Sequence, residues 1–276
     1  MSVLEAPRAP VPPKPRNPRT VLAGWVAGAV VVAVHVIAWR ATDISIADLV
    51  DGWQGMADFL AEAVPPDLSP GLLRESAEAS LVTLWIGLLG TTLSVPLSLM
   101  LALLAARGTS PAGWIYQITR GLLSFLRAVP DVVFALIFVT AVGLGPFPGV
   151  LALVTHNVGV MGKLWAETLE DADPGPATAL RSAGAGRIQV AAHALLPSVM
   201  PQMVGLLLYR FDVNVRSSLV LGLVGAGGIG FLINQSIQLF QFDQMLTHIL
   251  VVLVLIIAVD RLSAVVRRRL APAGAS

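Results

Sequence analysis

The chain has 276 residues, of which 55% are hydrophobic and 13% charged, about half the charged share of an ordinary soluble domain. With a mean hydropathy of +0.78, its apolar surplus exceeds what one water-soluble core buries and has to face lipid. A net charge of +1 from 18 basic and 17 acidic side chains sets up no field for nucleic acid. The lack of cysteine removes disulfides, thiolate metal sites and thiol nucleophiles together.

In chain order, residues 1–20 carry Arg8, Lys14, Arg16 and Arg19 among prolines and are expected to form a disordered basic tail. Residues 21–39 are apolar apart from His35, long enough for a first transmembrane helix. No small-x-small cleavage site follows, so an uncleaved anchor is expected rather than a signal peptide. Residues 40–77 are rich in acids, with apolar positions at helical spacing up to Pro65-Pro66. An amphipathic segment outside the cytoplasm is expected there. Further spans are expected near 79–105, 122–144, 148–166, 198–221 and 245–266, within a domain running over 78–266, and 267–276 form a tail.

Basic residues set the orientation, because cytoplasmic loops retain them. They cluster before the first span, at Arg107 and Arg120, and at Arg261, Arg267, Arg268 and Arg269. Both termini are therefore expected in the cytoplasm, which requires an even number of spans and agrees with six. The loop over 167–197 falls on the same side. Asp173 suits a helix N-cap with Pro174 or Pro176 in the first turn, and Gly184 suits the reversal that ends that helix.

The polar residues inside spans are few and therefore informative. Arg210 and Asn214 share a helix face at i, i+4, with Ser217 following; Asp212 and Arg216 share another. The second pair suits an intramembrane ion pair, and the first set suits a path for an anion, since a guanidinium matches a tetrahedral oxyanion. Arg127, Pro130 and Asp131 interrupt the third span, as a gate hinge or as a proline starting a helix. His156 and Asn157 either line a path or bond across helices. Lys163 and Trp165 suit an interfacial anchor, and His35 and His248 suit packing. No two histidines have the spacing of a helical metal pair, so neither a metal nor a catalytic residue is expected.

Two stretches bear on nucleotide binding. Gly225-Ala-Gly-Gly-Ile-Gly230 satisfies G-x-G-x-x-G, but it lies between spans and lacks an acid about 20 residues on. Close-packed backbone is the better reading. The Gly162-Lys163 pair is followed by Leu164, so no P-loop is present and no ATP site is expected in this chain.

The loop resembles a family. From Gly184 it is ten residues to Ala194 and thirteen to Pro197, the spacing of the "EAA" loop in permease subunits of binding-protein-dependent ABC importers. Ala179, Gly184, Leu196 and Pro197 match the motif, whereas Thr178 stands at its glutamate, Leu180 at its second alanine and Ala194 at its isoleucine. Arg127-Ala-Val-Pro-Asp131, Gly143-Leu-Gly-Pro-Phe147, Tyr209-Arg-Phe-Asp-Val-Asn-Val-Arg-Ser217 and Leu219 to Phe231 resemble the phosphonate importer permease, over about residues 78–270. The resemblance implies an all-α membrane protein with six transmembrane helices of the type I ABC importer permease fold and a cytoplasmic coupling helix. It implies a homodimer in a bacterial inner membrane with two ATP-binding subunits, which hold ATP and magnesium, and an extracytoplasmic solute-binding protein. The implied cargo is phosphonate, phosphate or phosphite. An ion-coupled secondary transporter is the alternative, with inverted repeats as its mark; an integral-membrane enzyme lacks an assembled nucleophile and base.

Overall fold

The computed structural model describes residues 18–43 and 45–270. Most of the expected basic tail, residues 1–17, and residues 271–276 lie outside the described residues. The chain divides after Asp58 into two units. The first contains α1 (Pro18–Ala41), which is apolar on all sides and about 36 Å long, and α2 (Ile46–Asp51), whose N-cap Ser45 accepts a hydrogen bond from Asp48 N at 3.2 Å. A third helix, α3 (Trp53–Ala63), runs across the division.

The second unit is a bundle built on α4 (Pro70–Ala105), α5 (Gly113–Ala128), α6 (Asp131–Val142), α7 (Pro146–Glu170), α10 (Leu196–Leu223) and α12 (Phe242–Leu270). The short α8 (Pro174–Ser182) and α9 (Arg187–Val190) connect α7 to α10, and α11 (Ile229–Gln238) connects α10 to α12. The first turns of α4 fall within the expected 40–77 segment. Asp67 turns the chain by accepting Ser69 N at 2.8 Å, and Pro70 then opens α4 in the first turn, where its missing N–H costs nothing.

The faces of α4 explain the packing. Ser76, Ser80, Thr83, Gly87, Gly90, Thr91, Ser94, Ser98 and Ala102 recur at three- and four-residue spacing and are buried. Leu81, Trp85, Leu89, Leu93 and Leu97 recur at four-residue spacing on the opposite face and are exposed. This is the arrangement of a helix whose small side chains let a neighbour approach and whose large ones meet lipid. The neighbour is chiefly α7. A Cβ on Gly90 would stand 2.5 Å from Leu153 Cβ, and one on Gly159 of α7 would stand 2.6 Å from the Arg127 backbone nitrogen.

Two expected spans take a different form. The stretch 122–144 is two helices, α5 and α6, meeting at 85°. Val129 is extended, Pro130 supplies no N–H, and Asp131 Oδ1 accepts Val132 N at 2.9 Å, so a new helix starts there. The stretch 198–221 begins earlier: α9 continues through a wide π turn, Ala191–Leu195, directly into α10. That turn accommodates Pro197, whose ring clashes with a regular α-helical carbonyl four residues back.

Among the described residues four helices are long and apolar enough to cross a membrane, and five if α5 and α6 form one span. The remaining expected span, 148–166, is α7, which has 25 residues but carries His156, Asn157 and Lys163. Its neighbours α4, α5, α6 and α10 surround it, so it needs less apolar surface than a helix facing lipid. Trp165 is likewise not an interfacial anchor. It is buried in the cluster of Leu123, Met161 and Met203, and its indole N–H donates to Met203 O at 3.3 Å. Lys163 Nζ donates to Ser124 Oγ at 3.2 Å, and His248 is buried against Ser76 Oγ at 2.8 Å, in keeping with a packing role.

Backbone proximity makes a specific prediction. Gly159→Ala drives a Cβ into the α5 backbone and is expected to destabilise the purified protein by about 1–3 kcal/mol. Gly205→Ala in α10 meets nothing within 4 Å and is expected to be neutral or slightly stabilising. Thermal unfolding of both variants in the same detergent checks the contrast.

Candidate functional site

The bundle interior holds a connected polar layer contributed by α4, α7 and α10. Arg210, 9% exposed, donates from Nε to Asn157 Oδ1 at 2.9 Å and from Nη2 to Asn214 Oδ1 at 3.2 Å. The Asn214 amide donates to Thr91 Oγ1 at 2.8 Å, and the Asn157 amide to Ser94 Oγ at 2.5 Å. Thr91 and Ser94 then donate back to carbonyls of their own helix, Gly87 O and Thr91 O, both at 2.7 Å. Each bond satisfies a group that would be costly to leave bare at this depth.

The sequence-predicted pair Arg210 and Asn214 is therefore assembled, while Ser217 is half-buried and takes no part in these bonds. Asn157 bonds across helices. Thr91 and Ser94 escaped sequence reasoning; their only signal was a small polar stripe on α4. The break between α5 and α6 lies close by. His156 Nδ1 donates to Val129 O at 3.0 Å, and Asp131 is the carboxylate whose charge acts on both Arg210 and His156. Pro130 and Asp131 thus border the polar layer, and Arg127 is exposed on the last turn of α5.

Asp212 and Arg216 form the expected ion pair at 3.0 Å, but the site is larger than expected. Arg216 also meets Asp260 of α12 at 2.6 Å, and its side chain is 49% exposed. Among the described residues the cluster joins these three charges and reaches the bundle surface, rather than forming an enclosed pair. Asp260 went unrecognised because it lies 44 residues away and stands beside Arg261 at the end of an apolar run.

The loop between α7 and α10 folds as its residues dictate. Asp173 Oδ1 caps α8 by accepting Gly175 N at 2.9 Å. Gly184, at φ +85°, reverses the chain, with Ala185 N donating to Leu180 O at 3.0 Å. Thr178, Ala179, Gly184 and Pro197 are exposed, whereas Leu180 and Leu196 are half-buried against the bundle. Thr178 Oγ1 donates to Pro174 O at 2.8 Å, so the residue at the motif's glutamate position is turned to its own backbone. Glu170 fastens this end, accepting from Arg107 N at 2.9 Å and Arg120 Nη2 at 2.7 Å.

The glycine-rich run makes a tight reversal between α10 and α11. Gly225, Gly227 and Gly228 have positive φ, Gly145 N donates to Gly225 O at 3.0 Å, and Ile229 N donates to Thr83 Oγ1 at 2.9 Å. A Cβ on Gly228 would collide with that same Thr83 hydroxyl. Close backbone packing accounts for the run. Among the described residues, no group of three or more His, Asp and Glu side chains could hold a metal ion.

Comparison with known proteins accords with this geometry. The family model described as "Binding-protein-dependent transport system inner membrane component" matches residues 94–272. The phosphite transport system permease protein PtxC of Stutzerimonas stutzeri is 40% identical over 241 residues, covering 87% of each chain. The phosphate-import permease protein PhnE of Mycolicibacterium smegmatis is 39% identical over 86% of this chain and 44% of its own length. A solved structure of the MetNI methionine ABC transporter in an inward-facing conformation superimposes with a TM-score of 0.60 at 19% identity, covering 73% of this chain and 97% of that one. The shared fold is that of the type I permeases.

The three-charge set yields a prediction. Arg216→Gln removes the cation shared by Asp212 and Asp260 and is expected to cost about 1–3 kcal/mol, between an exposed and a buried pair. Asp260→Asn is made alone and in combination with it. A double-mutant cycle of thermal stability measures the coupling.

Proposed function

We propose that this chain, which belongs to the family of binding-protein-dependent transport system inner membrane components, carries a phosphorus oxyanion into the bacterial cell. It is a multi-pass permease subunit of an ATP-binding-cassette importer and not an enzyme. Its family membership sets aside an ion-coupled secondary transporter. The cargo assignment rests on one observation above the others: the relative named for phosphite matches along nearly the whole of both chains. Phosphite, phosphate and phosphonate share a tetrahedral phosphorus with anionic oxygens, so one guanidinium site suits them all.

In this reading Arg210, with Asn214 and Ser217, faces the cargo path. Arg210 lies thirteen residues past Pro197, about 20 Å along α10. Two of its nitrogens are held by Asn157 and Asn214, which orients the guanidinium and leaves Nη1 for an oxyanion. Neutral amides leave its charge intact, while the field of Asp131 opposes an arriving anion. The resulting attraction is weak, as transport requires, and strong recognition belongs to the extracytoplasmic binding protein. Arg127, Pro130 and Asp131 form the gate, because the 85° break lets α6 move against α5 beside Arg210.

Two copies of the chain enclose the path. Each offers α8 and Gly184, with Thr178, Ala179, Leu180, Leu196 and Pro197, to one of two ATP-binding subunits, where ATP and magnesium reside. Both termini lie in the cytoplasm, with six spans when α7 is counted, and residues 40–77 lie outside the cytoplasm. Asp212 and Arg216 remain the structural ion pair, completed by Asp260.

Uptake of radiolabelled phosphite, phosphate and methylphosphonate, in cells lacking other phosphorus importers and supplied with the partner subunits, tests the assignment. Arg210→Gln is expected to lower uptake by about tenfold or more without loss of assembly; unchanged uptake removes Arg210 from the path. Gly184→Trp is expected to abolish uptake while membrane insertion persists, and normal transport would rule out this loop as the coupling element.

A further inference from the structure

At the coupling-loop end lies a cavity of about 470 Å³ that the transport reading leaves unused. It opens between the 106–112 loop, the first turns of α5 and the start of α9, lined by Arg107, Arg187, Tyr116, Gln117, Gly113 and Ser110 among others. Two guanidiniums line it and no acid does. Both are held in place. Arg107 lies over the Tyr116 ring, 5.7 Å from its centroid, and donates from Nε to the Tyr116 hydroxyl at 3.3 Å. Arg187 donates from Nη1 to Ser110 O at 3.2 Å and Pro111 O at 2.9 Å. Their remaining N–H groups have no other hydrogen bond among the described residues. Glu170, outside the cavity lining, is shared by Arg120 and the Arg107 main chain, so the neighbourhood stays positive.

Beside this cavity α5 presents an apolar stripe. Trp114, Ile118, Leu122 and Phe125 follow one another at helical spacing and are exposed. Trp114 occupies the first turn, adjacent to Gly113 on the cavity wall, where a tryptophan marks the membrane interface. A ligand with a phosphate head and an apolar tail therefore meets matching chemistry at both ends.

We propose that this cavity binds the headgroup phosphate of an anionic phospholipid of the cytoplasmic leaflet, with an acyl chain lying along the α5 stripe. Arg187 stands three residues after Gly184, and it joins the coupling loop to the 106–112 loop through the Ser110 and Pro111 carbonyls. A headgroup bridging Arg107 and Arg187 fastens the two loops further, so the lipid steadies the surface offered to the ATP-binding subunit. The inference goes beyond the transport reading and holds for any cargo.

The test uses the full-length permease assembled with its partner subunits, delipidated in detergent and titrated separately with phosphatidylglycerol, phosphatidylcholine and inorganic phosphate. Native mass spectrometry reads retained lipid, and thermal unfolding reads stabilisation. Phosphatidylglycerol is expected to bind in preference to phosphatidylcholine, with affinity falling about fivefold in Arg107→Gln and further in the double variant with Arg187→Gln. Arg74→Gln, which removes an exposed arginine paired with Glu78 on α4, is expected to bind as the parent does. Because Arg187 braces a loop, the single Arg107→Gln variant is decisive, with Arg107→Lys expected to recover part of the binding. Equal retention of the two lipids, or unaltered phosphatidylglycerol binding in Arg107→Gln, overturns the proposal. So does displacement of the lipid by inorganic phosphate alone, which makes the ligand a free anion. Loss of the ATP-binding subunit from Arg107→Gln with lipid binding intact assigns the arginine to a protein contact and equally overturns it.

Discussion

The close approach of α4 to α7 is the contact on which the rest of the molecule depends. In hydrocarbon no hydrophobic effect draws helices together, so packing and interhelical hydrogen bonds have to do it. The small face of α4 allows both. Gly87 lies against Val215 and Gly90 against Leu153, each too close for a side chain to intervene. At that distance the hydroxyls of Thr91 and Ser94 reach Asn214 and Asn157 directly. Larger residues on this face would separate the helices and leave both amides, and through them Arg210, without partners.

The same constraint separates the two arginines of α10. Arg210 is buried and held by two neutral amides, so its positive charge persists and requires an anion or a nearby carboxylate field. Arg216 is half-exposed and bonded to two carboxylates, so its charge is quenched. A guanidinium solvated by amides remains responsive to a passing oxyanion, whereas one held between carboxylates acts as a fastener. Two residues of the same type, six positions apart on one helix, are thus given different chemistry by what the neighbouring helices bring to them.

This is also where sequence reading stopped. Features written in adjacent residues were legible: the Asp173 cap, the Gly184 reversal, the Asp212 and Arg216 pair at i, i+4, and the interruption at Pro130. Features that depend on a distant helix were not. Asp260 completes the charge set from another span, and Thr91 and Ser94 matter only because Asn214 and Asn157 lie opposite them. Trp165 near a span end suggests an anchor until Met203 O is seen to take its N–H. The span expected over 148–166 does form a helix, α7, but its membrane signal is weak for a related reason. Apolarity marks what faces lipid, so α7, enclosed by other helices, shows the weakest membrane signal although it lies at the centre.

The helices that form the polar layer also reach the loop between α7 and α10. From Arg187 the chain runs through the π turn into α10 without a break and carries Arg210 and Arg216 on the same rod. Asn157, which holds Arg210, belongs instead to α7, whose far end carries Glu170 and its two arginine contacts. A displacement at α8 that shifts α10 against α7 therefore has to alter the Arg210 to Asn157 bond, since the two partners ride on different helices. Arg210 to Asn214 lies within one helix and is indifferent to that shift. The guanidinium is consequently held by one bond that senses relative helix position and one that does not, so its orientation follows the loop between α7 and α10 without any contact between them.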